Sequence, residues 1–499
     1  MPSVPSQTLK PNTYDYEQQS LVKATGFREY DARWLFGSEI NLAGFQDLGL
    51  CLGTLLHSRG VRPNIVVGHD YRAYSSSIKY ALTSGLLAAG CHVYDIGLCT
   101  TPMAYFAQFA CDVPAVAMVT ASHNENGWTG VKMGLDRPLT FGPDDMLELK
   151  TLTLEGRGVL RSGGSLARVT DIYERYKSDL VKPGKLKRKL KVAAVCGNGT
   201  AGAFMPQVLR EAGCEVIEID CALDYNFPNY NPNPEDLKML GVMRGAVKTH
   251  GLDVAFGFDG DGDRCGVSDS EGNVIYADKI GLMMARDMAA LVPNATFVVD
   301  VKSTGLFATD PILAKHGAKV DYYKTGHSYI KRRTRDLNAS AGFEKSGHFF
   351  FRPPFGHGYD DGLVSALSIC RMLDRVPDRS LADLYRDLPV SFTSPTMSPH
   401  CGDEVKYDVV DKLIARIEAD VKSKHAIEGQ AIVSTNRVNG IRFSFADGSW
   451  GLVRASSNKP ELVVVCESMS SEAHMRGIFR YVQSLLKDFP DVGEFNQTV

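Results

Sequence analysis

Apolar and polar positions repeat one plan three times along this chain: an apolar strand, a polar or glycine turn, an amphipathic helix, a small-residue stop and a second strand. The copies are PNIVVGHDYRAYSSSIKYALTSGLLAAGCHVYDIG (63–97), LKVAAVCGNGTAGAFMPQVLREAGCEVIEID (190–220) and ATFVVDVKSTGLFATDPILAKHGAKVDYYKTG (295–326). Gly90, Gly213 and Gly317 close the three helical patterns, each where a left-handed residue without a Cβ ends the last turn at no steric cost. Alternating strand and helix predict βαβ units and mostly parallel, mixed sheets. Three such units over this length predict three related α/β domains.

The last hundred residues differ. DEVKYDVVDKLIARIEADV (403–421) has helical apolar spacing, and GQAIVSTNRVNGIRFSFADGSWGLVRAS (429–456) alternates as antiparallel strands do, with turns at Asn439-Gly440 and Asp447-Gly448. A strand, ELVVVCES, and a helix, SEAHMRGIFRYVQSLLKDF, follow. The pattern predicts a C-terminal α+β domain, with domains at 1–168, 169–272, 273–388 and 389–499.

Composition narrows the class. A formal charge of -3 from 55 basic and 58 acidic residues offers no general nucleic-acid surface. No apolar run approaches the roughly 18 residues of a membrane span, and MPSVPSQTLKPNTYDYEQQS lacks a signal-peptide pattern. Eleven scattered cysteines without a C-x-x-C pair predict a reduced, intracellular protein with no structural zinc, and cytoplasmic is the expected location.

The most informative segment is FGFDGDGDRCGV (256–267), where single glycines separate Asp259, Asp261 and Asp263. In an extended loop alternate side chains share a side, and glycine lets the backbone curl around a small ion. Hard oxygen ligands select Mg²⁺ or Ca²⁺. An EF-hand is excluded because Arg264 and Ser270 occupy its glycine and glutamate positions. Arg264 is placed to hold a phosphate oxygen, beside an ion that keeps a coordination site open for another.

Three further segments carry chemistry. VTASHNENGWTGVKMG (119–134) runs from an apolar strand into Ser122, His123 and Asn124, with Lys132 beyond: either a nucleophile with proton-transfer groups or a plain turn. In SAGFEKSGHFFF (340–351), Glu344, Ser346 and His348 alternate, and an extended segment would face them one way, toward sugar hydroxyls. GLVRASSNKPEL (451–462) offers Arg454, Ser456, Ser457 and Asn458 as a phosphate cradle. Together these are the parts that phosphoryl transfer on a sugar requires. A rival comes from GNGTAG (197–202), which matches the dinucleotide fingerprint with Asp220 after the next strand and would suit an NAD-dependent dehydrogenase. The equivalent turns of the other two repeats lack the fingerprint, which favours tight strand–helix packing instead.

At these residues the chain resembles the α-D-phosphohexomutase family, most closely its phosphomannomutase/phosphoglucomutase branch. The likeness runs through FREYDAR (27–33), GHDYR, TASHNENGWTGVK, FPNYNPNP (227–234), DGDGDR, KTGHSYIK (324–331), EKSGH and RASSNKP. It implies four domains around a central cleft and a phosphohexomutase interconverting hexose 1-phosphate and 6-phosphate, mannose and/or glucose. A phosphoglucosamine mutase of the same family is the alternative, and a non-catalytic sugar-phosphate binder on this scaffold is another. By the resemblance Ser122 carries the transferable phosphate, and Asp259, Asp261, Asp263 and Ser122 hold Mg²⁺. His123, Lys132, Arg33 and Arg264 transfer protons or stabilise charge. Tyr30, Lys302, His327, Glu344, Ser346, His348, Arg454, Ser456, Ser457 and Asn458 bind substrate. Hexose 1,6-bisphosphate is the expected activator, sugar phosphates are the expected partners, without nucleic acid or membrane, and the assembly is a monomer or homodimer. The serine loop has Glu125-Asn126 where relatives often carry two prolines, and Phe343 stands where glycine is usual, which makes Phe343 a candidate influence on sugar fit.

Overall fold

In a computed structural model describing residues 4–456 and 459–499, all three repeats form parallel strand pairs. Asn64–His69 pairs with His92–Leu98, Lys191–Val195 with Glu215–Ile219, and Thr296–Asp300 with Lys319–Tyr323. The glycine stops behave as the pattern predicts: Gly90, Gly213 and Gly317 have φ of +79°, +108° and +67°. The connecting helices do not all match. The first is continuous over Ser75–Ala88, the second is a 3-10 turn followed by Met205–Glu211, and the third is split into Leu306–Thr309 and Pro311–Lys315. Pro311 is the cause of the last break, because a residue before proline is driven out of the helical region; Asp310 there is extended and caps the second piece through Ile312 and Leu313.

The chain divides into two units. One comprises the residues up to Ala277 with Ser346–Ala382. Its first sheet runs in the order Ala32–Leu35, Trp128–Gly134, Ala115–Val119, Asn64–His69, His92–Leu98 and Ser165–Arg168. The two pairings at the Ala32–Leu35 end are antiparallel and the rest parallel. Helix Leu42–Ser58 packs Phe45, Leu48, Leu52 and Leu55 into this sheet's core. Its second sheet has the order Val274–Ile275, Cys265–Ser268, Val254–Phe258, Lys191–Val195 and Glu215–Ile219, backed by Met239, Met243 and Val247 of helix Leu237–His250.

The other unit comprises Asp278–Lys345 and Asp383–Val499. Thr296–Asp300 is flanked in parallel by Lys319–Tyr323 and Ala341–Phe343. The C-terminal sheet is antiparallel, with Gln430–Asn436, Ile441–Phe445, Trp450–Ala455 and Leu462–Ser468 in succession. Trp450–Ala455 is buried at every position, although its sequence reads as alternating. One face packs on helices Lys406–Lys422 and Glu472–Leu486, and Trp450, Leu452, Val463 and Val465 on the other meet Val301 and Tyr322. Burying both faces removes the inside–outside alternation. Phe343 belongs to this unit's core, fully buried among Phe297 and Phe307, and so does not point toward a sugar.

Candidate active site

Two loops of the first unit meet at the C-terminal ends of parallel strands, where open α/β sheets place their ligands. Strand Ala115–Val119 delivers Thr120, Ala121 and Ser122, and strand Val254–Phe258 delivers Asp259. Ser122 Oγ lies 3.3 Å from Asp259 Oδ2 and 3.2 Å from His123 Nδ1. Ser122 is 3% exposed and has φ +52°, a left-handed conformation uncommon outside glycine.

The three aspartates converge, with one carboxylate oxygen from each within 4.8 Å of the others. They do so on a turn, not on the extended loop expected from alternation. Gly262 at φ +77° reverses the backbone and its N–H donates to Asp259 O at 3.1 Å. All three carboxylates are fully buried, and Oδ1 of Asp261 and of Asp263 lacks a hydrogen-bond partner among the described residues. Lys132 and Arg264 neutralise two of the three. The Lys132 ammonium is 2.7 Å from Asp261 Oδ2 and also pairs with Asp263 Oδ2, and Arg264 Nε is 2.9 Å from Asp259 Oδ2. Three buried carboxylates, two of them with an Oδ1 that takes no hydrogen bond among the described residues, fit a divalent cation such as Mg²⁺.

The electrostatics follow from burial and these pairs. Burial opposes ionisation of Asp261, but Lys132 and the Thr101 hydroxyl outweigh it and hold its carboxyl well below the usual range. Burial and then Asp261 push Asp263 up, to about 7. Burial, with Arg264 and Arg33 nearby, keeps the His123 imidazole neutral, whereas Lys132 is held firmly charged against burial by Asp261 and Asp263.

Of the other sequence candidates, Arg33 donates to Asp31 at 2.9 Å and to Asn124 Oδ1 at 3.0 Å, which ties its side chain to the serine loop, and half-buried Tyr30 adjoins it. His348 approaches the acidic loop, with Nδ1 3.7 Å from Asp263 Oδ1 and 3.0 Å from Asp360 Oδ2. The Glu344–His348 stretch is not an extended strand: residues 344–347 form a turn between Ala341–Phe343 and Phe349–Phe351, with Gly347 at φ +95°. Alternation therefore does not set the directions of Glu344, half-buried Ser346 and His348.

In the second unit, Glu344 accepts the Gly326 N–H at 3.1 Å, beside buried His327 at the start of helix His327–Asp336. Half-buried Lys302 lies on a neighbouring loop. Asp300 joins these loops by accepting from Ser303 Oγ at 2.5 Å, Thr325 Oγ1 at 3.1 Å and Lys345 N at 3.3 Å. Arg454 and Ser456 are buried at the end of their strand, and Lys406 Nζ secures the loop through Ser456 O at 2.6 Å and Lys459 O at 3.1 Å. Ser457 and Asn458 lie outside the described residues.

Asp70, Arg72, Thr101, Asp300, Asp360 and Lys406 were not singled out by sequence reasoning. Asp70 and Arg72 stand within GHDYR, and Asp360 precedes the Asp361 that caps helix Gly362–Arg375; the others carry no local signal. GNGTAG has structural uses. Thr200 N–H donates to Gly260 O at 3.0 Å, and a Cβ on Gly202 would meet Cys221 O at 2.2 Å. Asp220 is engaged by Asn229 and Tyr230 of its own chain, at 2.6 and 2.5 Å.

Three α/β/α domains, a C-terminal antiparallel domain and a serine facing an acidic trio are the features of a sugar-phosphate mutase scaffold. Models of phosphoglucomutase/phosphomannomutase α/β/α domains I, II and III match residues 24–157, 171–272 and 276–392. A phosphomannomutase/phosphoglucomutase of Pseudomonas putida is 33% identical over 91% of this chain and 93% of its own. A phosphoglucomutase of Neisseria gonorrhoeae is 32% identical over 90% and 94%. The crystal structure of a phosphoglucomutase/phosphomannomutase family protein from Burkholderia thailandensis superposes with a TM-score of 0.86 at 29% identity, covering 96% of this chain and all of the other. The chain belongs to the α-D-phosphohexomutase family and is an isomerase of the phosphomannomutase/phosphoglucomutase type.

Proposed function

We propose that this enzyme interconverts the 1- and 6-phosphates of mannose and glucose through a phosphoserine at Ser122. The phosphoryl passes from Ser122 Oγ to the free hydroxyl of a hexose monophosphate: the serine O–P bond breaks as the sugar O–P bond forms, and the proton the sugar hydroxyl loses is made up on Ser122 Oγ, which leaves as the neutral hydroxyl. The resulting hexose 1,6-bisphosphate turns over and returns its other phosphoryl to Ser122. The same bisphosphate would act as activator by phosphorylating free enzyme. The observation that carries this reading is the approach of Ser122 Oγ to Asp259 at 3.3 Å, at the edge of the acidic trio.

Asp259, Asp261 and Asp263, with one phosphoserine oxygen, would hold Mg²⁺, which supplies positive charge to the phosphoryl oxygens. The chain's own residues do the rest. Arg264 and Lys132 add fixed, buried cations, which act on developing charge without reorganising. His123 and Arg33 flank Ser122 as proton-transfer or charge-stabilising groups. Glu344, Ser346 and His348 are assigned to the sugar hydroxyls, with Tyr30, Lys302 and His327 as further contacts. Arg454 and Ser456, with Ser457 and Asn458, are assigned to the phosphate that stays on the sugar. The enzyme is expected to work in the cytoplasm as a monomer or homodimer.

Intact-mass spectrometry of fresh enzyme should find one phosphate, and Ser122→Ala should lose both it and turnover. Near-normal activity of that variant would remove the relay. Mannose 1-phosphate, glucose 1-phosphate and glucosamine 1-phosphate assayed side by side decide the sugar, and a clear preference for the amino sugar would make it a phosphoglucosamine mutase.

A further inference from the structure

The left-handed backbone at Ser122 has a dedicated support in a pair of residues that touch neither the acidic trio nor the serine hydroxyl. The Arg72 side chain is 1% exposed and that of Asp70 3%, and Arg72 Nε contacts Asp70 Oδ2 at 3.2 Å. The rest of the guanidinium is spent on carbonyls of the serine loop. Nη2 donates to Ser122 O at 3.0 Å and to Asn124 O at 2.7 Å, and Nη1 donates to Glu125 O at 3.1 Å. Asp70 holds the incoming side of the same loop. Its Oδ2 accepts from Thr120 Oγ1 at 2.8 Å and Ala121 N at 3.4 Å, and its Oδ1 accepts from Ser75 Oγ at 2.5 Å. Thr120 Oγ1 in turn accepts the Ser122 N–H at 2.8 Å.

Ser122 is thus held on both sides, its N–H through Thr120 and Asp70 and its carbonyl through Arg72. A serine at φ +52° relaxes toward negative φ unless its surroundings fix it. Relaxation would rotate the peptides that Arg72 and Thr120 hold and would carry Oγ away from Asp259. A buried guanidinium that donates to three carbonyls within four residues is poorly replaced by lysine, which has no planar fork.

We propose that Asp70 and Arg72 are positioning residues for phosphoryl transfer, acting through the Ser122 backbone to aim its Oγ at the acidic loop. The inference rests on the phosphoserine reading. It predicts a specific division of effects, because neither residue contacts the sugar. Arg72→Ala should lower kcat about 100-fold, the usual consequence of misplacing a reacting group by about 1 Å. KM for glucose 1-phosphate should stay within about threefold, since uniform substrate binding is untouched.

The experiment measures kcat, KM and the phosphate carried per molecule for wild type and Arg72→Ala, with and without added guanidinium ion at non-denaturing concentration. The expected result is low phosphate occupancy, low kcat, unchanged KM, and recovery of at least about tenfold in kcat with guanidinium in the variant alone, by refilling the vacated fork site. A folded variant with wild-type kcat, or one whose loss lies only in KM, overturns the proposal. If Arg72→Ala does not fold, Thr120→Val replaces it, removing the acceptor of the Ser122 N–H: reduced kcat at constant KM sustains the proposal and unchanged kcat overturns it. Wild-type enzyme that turns over hexose phosphate without phosphate on Ser122 would overturn the phosphoserine reading itself, a result distinct from either outcome for the variants.

Discussion

The carbonyl of Ser122 and the α-carbon of Gly260 are so close that a methyl group on Gly260 would stand 2.6 Å from the Ser122 oxygen. The serine loop and the acidic loop therefore meet backbone to backbone. Thr101 N–H donating to Asp261 O at 2.9 Å adds a second link between the same two domains.

Gly260→Ala consequently forces the two loops apart, because the atom it meets is backbone and not the end of a flexible side chain. The expected cost is about 1–3 kcal/mol of stability. The kcat should fall as well, on the order of 100-fold, from displacement of Ser122 relative to Asp259. Thermal unfolding and steady-state kinetics on one preparation check this.

Asp261→Asn removes a carboxylate whose Oδ1 is buried without a partner among the described residues and whose Oδ2 pairs with Lys132. Magnesium affinity and rate should fall together, each by at least about tenfold. Titrating Mg²⁺ by calorimetry alongside activity tests it, and unchanged magnesium dependence would reject the metal assignment.

Glu467 is 1% exposed and accepts from Lys279 at 2.8 Å, Ser391 at 2.7 Å, Gly305 N at 2.8 Å and Trp450 Nε1 at 2.7 Å. Burial opposes its ionisation, but Lys279 and these donors outweigh it and depress its pKa. A depressed carboxylate contributes stability in full above the unfolded-state value and loses it as pH falls through the folded-state value. Lys279→Met should cost about 3–5 kcal/mol at pH 7 by leaving that charge unpaired. The Tm gap between variant and wild type should narrow as the pH drops below about 4.

Arg454→Ala should raise KM about tenfold or more with kcat little changed, as expected when binding common to ground and transition states is removed. Initial rates over a wide range of glucose 1-phosphate measure it. An effect confined to kcat would show that Arg454 acts on the moving phosphoryl instead.

Much of this molecule is local and was legible in the sequence. Strand and helix periods, the stops at Gly90, Gly213 and Gly317, and the turns at Asn439-Gly440 and Asp447-Gly448 depend on residues a few positions apart. So does the clustering of Asp259, Asp261 and Asp263, although a turn at Gly262, and not the alternation of an extended loop, brings the three carboxylates together. Where local rules competed with a turn, periodicity misled: residues 344–347 form a turn with Gly347 at φ +95°, so alternation did not set the directions of Glu344 and His348.

What the chain alone determined was the set of groups: a serine, three acids and the cations that accompany them, on repeated α/β units. Tertiary structure decided which atoms meet and in what charge state. Ser122 and Asp259 are 137 positions apart, and Lys132 and Asp261 are 129 apart; no pattern read within a window of residues links them. The same holds for Arg72, whose three carbonyl partners lie 50 or more positions away. Burial does the rest, since a carboxylate or imidazole takes its protonation from the dielectric and charges around it, and these exist only once the sheets have packed.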